Sequence, residues 1–217
     1  MIFQRVLKGI PRLTSGQVRH MLSDGGILCN WWRNSPNKTL PANEVRGRLT
    51  ERNIEWHLSH YDDLDPLMGN EPFCDNTPFI STTAGSIQRN SALLTNESFS
   101  SFITALQFAT NNFTDDGVIF YAYEFVLGKK SVELEEFAEE TRELNIWTSF
   151  QPYHPEGEIV AKIWIPPQRL ESAEFYNGPQ AEADWDAGYR PQPLDVLDNQ
   201  GVFAPPENFA NIRNALP

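Results

Sequence analysis

The sequence predicts an α+β domain, rich in strands and turns. Sixteen prolines and thirteen glycines punctuate short apolar runs over 217 residues, which suits strands joined by many turns and speaks against a helical bundle. With 40% apolar residues, one domain of this length buries a full core and no second domain is required. The strongest strand signal is Gly117-Val118-Ile119-Phe120-Tyr121-Ala122-Tyr123-Glu124-Phe125-Val126-Leu127, long and aromatic enough for the middle of a sheet.

The other elements follow in order. Ile2-Phe3-Gln4-Arg5-Val6-Leu7 is a short apolar segment broken by one arginine. Val18, Met21 and Leu22 recur at helical spacing behind an N-cap of Thr14 or Ser15, and Gly25-Gly26 ends that helix. Residues 29–52 form a Pro- and Asn-rich loop region with Trp31, Trp32 and Arg33; the paired tryptophans serve a core or stack on an adenine. Residues 53–61 read as a short helix or turn bearing His57 and His60. Thr77-Pro78-Phe79-Ile80 starts a strand that runs into Ser81-Thr82-Thr83. Phe99, Phe102, Ile103, Leu106 and Ala109 mark a helix whose stripe is core. Residues 131–144 read as an acidic amphipathic helix, and 159–165 as a buried strand closed by Pro166-Pro167. The last 47 residues hold eight acids against two arginines, with Pro191, Pro193, Pro205 and Pro206. They read as an irregular extension, residues 171–217, whose aromatic side chains pack on the preceding 170 residues.

Charge excludes one class of partner. A net charge of −12 argues against unspecific nucleic-acid binding, which needs Lys and Arg patches, and favours a basic partner surface. Cys29 and Cys74 could make one disulfide but fit no zinc pattern, and free, mostly buried thiols are expected. No run approaches the ~18 apolar residues of a membrane span, and the N-terminus has no apolar leader core. The chain as given is expected to be soluble.

Chemistry concentrates in three places. Glu156-Gly157-Glu158 stands at the head of the 159–165 strand, and in a strand residues two apart share a side. Two carboxylates crowded there repel, which builds an acid/base or cation-stabilising site; the plainer reading is a solvated strand entry. Ser81, Thr82 and Thr83 are hydroxyls in a strand that is otherwise apolar, so they need partners or a ligand. Arg5, in a half-buried strand, suits an anion and above all a phosphate, through its planar fork; its plainer use is on the surface of an edge strand.

An arginine in the first strand, then an aromatic-aliphatic-Ser-Thr-Thr strand, then Glu-x-Glu, in this order, resembles the ADP-ribosyltransferase toxins of the cholera toxin and heat-labile enterotoxin A-subunit type. Asn53-Ile54-Glu55-Trp56-His57 lies where that family carries an active-site histidine, and Tyr153-His154-Pro155 resembles its loop into the glutamates. The resemblance spans residues 2–165. Thr83 stands where the family usually has Ser, Gln4 where it often has an aromatic, and His60 lies one helical turn from His57. Arg12 is the alternative to Arg5. The 76 residues between Ser81 and Glu158 exceed the family's expected spacing, with the surplus at 128–152.

The resemblance implies two packed, mainly antiparallel β-sheets with flanking helices, over a catalytic domain of residues 1–170. It implies NAD as a substrate, no metal, and transfer of ADP-ribose to an arginine of a target protein. Glu158 would stabilise the ribosyl cation and be held by Ser81. Arg5, His57, Ser81, Thr82 and Thr83 would bind NAD, and Glu156 would activate the acceptor. Trp147, Phe150 and Tyr153 would touch the target. The chain would be a secreted or injected effector acting in a target cell's cytosol, with room for an activating host or bacterial partner. An NAD glycohydrolase and an inactive binding module of the same fold are the alternatives.

Overall fold

A computed structural model describes residues 2–34, 47–84, 94–127, 138–140 and 158–201. The first strand, β1 (Ile2–Pro11), runs four residues beyond the apolar segment that announced it. Helix α1 (Ser15–His20) starts at Thr14, whose backbone N–H donates to Gln17 Oε1 at 2.9 Å while its hydroxyl accepts from the Gln17 N–H, a reciprocal capping box. The helix does not stop at the glycines directly. It widens into a π turn over Met21–Gly25, and Gly26, at φ +65°, redirects the chain.

Short elements follow: β2 (Ile27–Leu28), α2 (Asn30–Asn34), α3 (Glu51–Ser59), the hairpin β3 (Leu64–Asp65) and β4 (Glu71–Pro72), and α4 (Phe73–Asn76). Thr50 caps α3 by accepting from the Asn53 N–H. Then come β5 (Phe79–Ala84), α5 (Leu94–Ala109) and β6 (Gly117–Leu127), the last with the bounds its sequence predicts. β7 (Ala138–Glu140) is a strand where the acidic stretch reads as a helix, so the helix expected over 131–144 does not hold there; the rest of that stretch lies outside the described residues. A parallel ladder with β6 and an antiparallel one with β8 claim those three residues, and sheet pairing overrides local helical preference.

The strand expected over 159–165 is two. β8 (Glu158–Lys162) and β9 (Trp164–Ile165) are separated by Ile163, a β-branched residue at φ +62°. Backbone bonds on both sides hold it there: its N–H donates to the Pro78 carbonyl at 2.9 Å and its carbonyl accepts from the Cys29 N–H at 2.8 Å. Tertiary hydrogen bonds therefore break a run whose composition is that of a continuous strand. Beyond it lie β10 (Leu170–Tyr176), α6 (Gly178–Asp186) and β11 (Asp195–Asp198). Much of the stretch expected to be an irregular extension is thus regular: β10 sits inside the main sheet, between β6 and β11.

The fold is α+β, with a mainly antiparallel sheet and flanking helices. Seven strands follow the order β1-β5-β8-β7-β6-β10-β11, and the order returns on itself because β1 also pairs with β6. The β1–β6 ladder runs from Ile2↔Val126 to Pro11↔Gly117, whereas β1 meets β5 only at Val6↔Ala84 and Leu7↔Thr83. Two strand groups, β1-β6-β10-β11 and β5-β8-β7, are thereby joined at short seams. Past Leu7 the ladder to β5 ends, and a crevice begins.

Two cores support this arrangement. One contains Val6, Phe120, Ala122, Ile159, Val160 and Ile165; the other lies under α5 with Leu7, Phe102, Leu106, Ile119, Tyr121 and Tyr176. Helix α5 sits directly on the backbone of β1 and β6. A Cβ on Gly9 would overlap the Ala105 carbonyl, and one on Gly117 the Ala109 carbonyl, so both positions require glycine. Trp31 is buried in the first core, and Cys29 and Cys74 are free. Among the described residues no helix is long and apolar enough to cross a membrane.

Candidate active site

The β5–β8 ladder organises the hydroxyl strand. Its register sets Thr83 opposite Glu158 and Ser81 opposite Val160, so Ser81, Thr83 and Glu158 share one face. Ser81 and Glu158 are diagonal neighbours, at a typical separation of about 7–8 Å. The three hydroxyls do different work. Thr82 donates to the Ile159 carbonyl at 2.7 Å, and Thr83 to the Ser101 carbonyl at 2.9 Å, tying β5 to β8 and to α5. Ser81 Oγ instead meets His57 Nε2 at 2.7 Å.

His57 is buried, and its Nδ1 lies 2.8 Å from Thr77 Oγ1. The ring therefore bridges two hydroxyls, and Tyr61 meets it edge-on with centroids 5.6 Å apart. Burial, helped by the charge of Lys8, pushes its pKa down to about 3. A neutral ring donates through one nitrogen and accepts through the other, which fits a role in holding Ser81. His60 is elsewhere: it is exposed, paired with Asp63 at 2.7 Å and packed beside Trp56.

The His57 shift has a stability consequence. A histidine whose folded pKa lies below its unfolded value contributes stability that is complete above the unfolded pKa and is lost as pH falls towards the folded one. The window therefore runs from about 6.5 down to about 3. Melting temperatures followed by circular dichroism across that range are expected to fall less steeply on acidification for His57→Gln than for wild type.

A cavity of about 660 Å³ opens on this wall. Its lining includes Ser81, Thr82, Thr83 and Glu158, His57 and Tyr61, residues 7–11 of β1, Cys29 and Arg33. Glu158 is buried as the first residue of β8. Burial lowers the Lys8 pKa to about 8, the Glu158 carboxylate opposes that shift, and Arg33 adds to it. Two carboxylates, Glu158 and Asp62, and two cations, Lys8 and Arg33, thus line one space. Among the described residues, neither Lys8 nor Arg33 has a carboxylate at ion-pair distance.

Lys8 and Arg33 are the cavity cations that reading the sequence missed. Arg5 does not reach the cavity. Its Nε donates to Glu171 at 2.8 Å, and its guanidinium lies 4.4 Å from the Tyr121 ring centroid. Strand alternation explains the difference. Arg5 shares a face with Leu7, which packs under α5, while Lys8 belongs to the alternate set with Val6 and Ile10, which pack in the other core. The lining of the cavity begins at Leu7, and Arg5, two residues earlier, ends on Glu171 and Tyr121 instead. Arg12, the alternative, is exposed and held by Asp115 through Nε at 2.9 Å. Glu156, Trp147, Phe150 and Tyr153 lie outside the described residues. No group of three or more His, Cys, Asp or Glu side chains among the described residues is placed to hold a metal ion.

No protein-family model matches the chain, and no curated protein matches it. Solved structures similar to it include EcPltA, at a TM-score of 0.46 and 11% identity over 94% of this chain and 88% of that one. Another is the catalytic domain of the mosquitocidal toxin from Bacillus sphaericus, at a TM-score of 0.37 and 15% identity, where 99% of this chain spans 59% of that one.

Proposed function

We propose that the chain is a mono-ADP-ribosyltransferase that transfers ADP-ribose from NAD to an arginine of a target protein. The observation that carries the reading is the single cavity in which buried Glu158, the Ser81–His57 pair and the cations Lys8 and Arg33 converge. Its volume lies in the range of ligand pockets, roughly 300–1,000 Å³, and its charges match a substrate with an anionic diphosphate and a ribose that becomes cationic.

Breaking the bond between nicotinamide and ribose sends the electron pair to the leaving pyridine nitrogen, and nicotinamide departs neutral. The ribosyl carbon is left with oxocarbenium character, as in glycoside cleavage. The Glu158 carboxylate lies in the field of Lys8 and at a buried position, so its negative charge is poorly screened and stabilises that cation. Ser81, oriented by neutral His57, steadies the site from the same face. Lys8 and Arg33 hold the diphosphate by charge-assisted hydrogen bonds. A guanidine nitrogen of the acceptor then attacks the ribosyl carbon and must lose a proton. Arginine does not give it up unaided, with a pKa above about 12, and Glu156, two positions before Glu158, accepts it. Trp147, Phe150 and Tyr153 precede these glutamates in the chain and contact the target.

Labelled NAD, incubated with the protein and with agmatine, tests the reading. Label on agmatine is the expected result; free ADP-ribose alone would make the chain a glycohydrolase, and no NAD consumption would make it a binding module. Glu156→Gln is expected to lose agmatine modification and keep measurable NAD hydrolysis. A parallel loss of both would put Glu156 at the ribose, and unchanged transfer would remove it from the acceptor step.

A further inference from the structure

The cavity follows β1 from Leu7 to Pro11. At Leu7 it adjoins Thr83, and across the next ladder Glu158. At Gly9 it meets α5, where Ala105 and Ala109 press on the strand. Four strand steps cover about 13 Å, comparable to the reach from one end of an extended dinucleotide to the other. At this far end the lining is Phe108 and Asn111.

Phe108 is out of keeping with its helix. Its neighbours Ala105, Leu106 and Ala109 are buried, whereas Phe108 is 59% exposed. Phe108 therefore lines the cavity with more than half of its surface left uncovered. Beside it Asn111 donates one amide N–H to Asp115 Oδ2 at 3.1 Å. The wall at this end thus presents an aromatic surface beside a carboxamide.

We propose that Phe108 is the stacking platform for the adenine of the dinucleotide, about one dinucleotide length along β1 from Glu158. The inference rests on the reading of the chain as an enzyme that uses NAD. It adds a subsite that recognises its base by area and planarity, since every base offers a π face. One consequence follows: losing the ring weakens substrate binding without touching the bond that breaks.

The test is steady-state nicotinamide release by wild type, Phe108→Ala and Phe108→Tyr. Base–aromatic stacking at its usual strength gives a rise in KM of about tenfold for Phe108→Ala with kcat unchanged, and Phe108→Tyr restores it. Competitive inhibition by AMP is expected to weaken by the same factor in Phe108→Ala, while inhibition by nicotinamide is unchanged. Unchanged KM and unchanged AMP inhibition in Phe108→Ala would overturn the stacking role and leave the NAD reading standing. Absence of nicotinamide release by wild type would overturn both.

Discussion

Glu158→Gln is expected to reduce NAD cleavage by about 10²-fold or more, the scale on which a single electrostatic contact to a transition state is lost. The amide keeps the volume and the position at the head of β8, opposite Thr83, and removes only the charge. Because Glu158 is buried, water is a poor replacement for the missing carboxylate. Transfer and hydrolysis must fall together, since both pass through the ribosyl cation. Nicotinamide release, measured beside a far-ultraviolet circular dichroism spectrum, separates this from unfolding. Activity within a few-fold of wild type would remove Glu158 from the chemistry.

Lys8→Met carries the second large effect. The variant keeps the apolar stem and loses the ammonium, so the substrate's diphosphate loses a charged hydrogen bond worth about 1.5–3 kcal/mol, and KM for NAD is expected to rise by about tenfold or more. The wild-type site should also be sensitive to alkali. Burial brings the Lys8 pKa to about 8, so the free enzyme loses this cation as pH rises through that value, and KM is expected to climb there. A guanidinium keeps its proton throughout, so Lys8→Arg is expected to bind NAD with a flat profile over the same range. A KM that is independent of pH in wild type, or unchanged in Lys8→Met, would take Lys8 out of the binding site. Arg5→Ala is expected to leave KM alone and to act through its lost contacts with Glu171 and Tyr121.

What was legible in the sequence was local. Thr14 and Gln17 carry their capping box within four residues, the 117–127 run is strand by composition at every position, and the hydroxyls of 81–83 announce themselves in an apolar strand. His57, rather than His60, reaches Ser81 because only His57 lies on the buried face of α3; helical spacing allows either until the packing is known.

The tertiary structure decided what depends on partners distant in sequence. Arg5 and Lys8 have equal claims by composition, and what settles which one meets the cavity is its side of β1 together with its place before or beyond the end of the β1–β5 ladder. That choice is made by α5 covering the Leu7 side and by the end of the β1–β5 ladder just beyond Leu7. Ile163 breaks an apolar run because Pro78 and Cys29 supply its backbone partners from elsewhere in the chain. Ala138–Glu140 is a strand because β6 and β8 border it. Capping and periodicity are short-range and are written in consecutive residues; facing, register and burial are properties of the surfaces that meet, and a single chain position does not contain them.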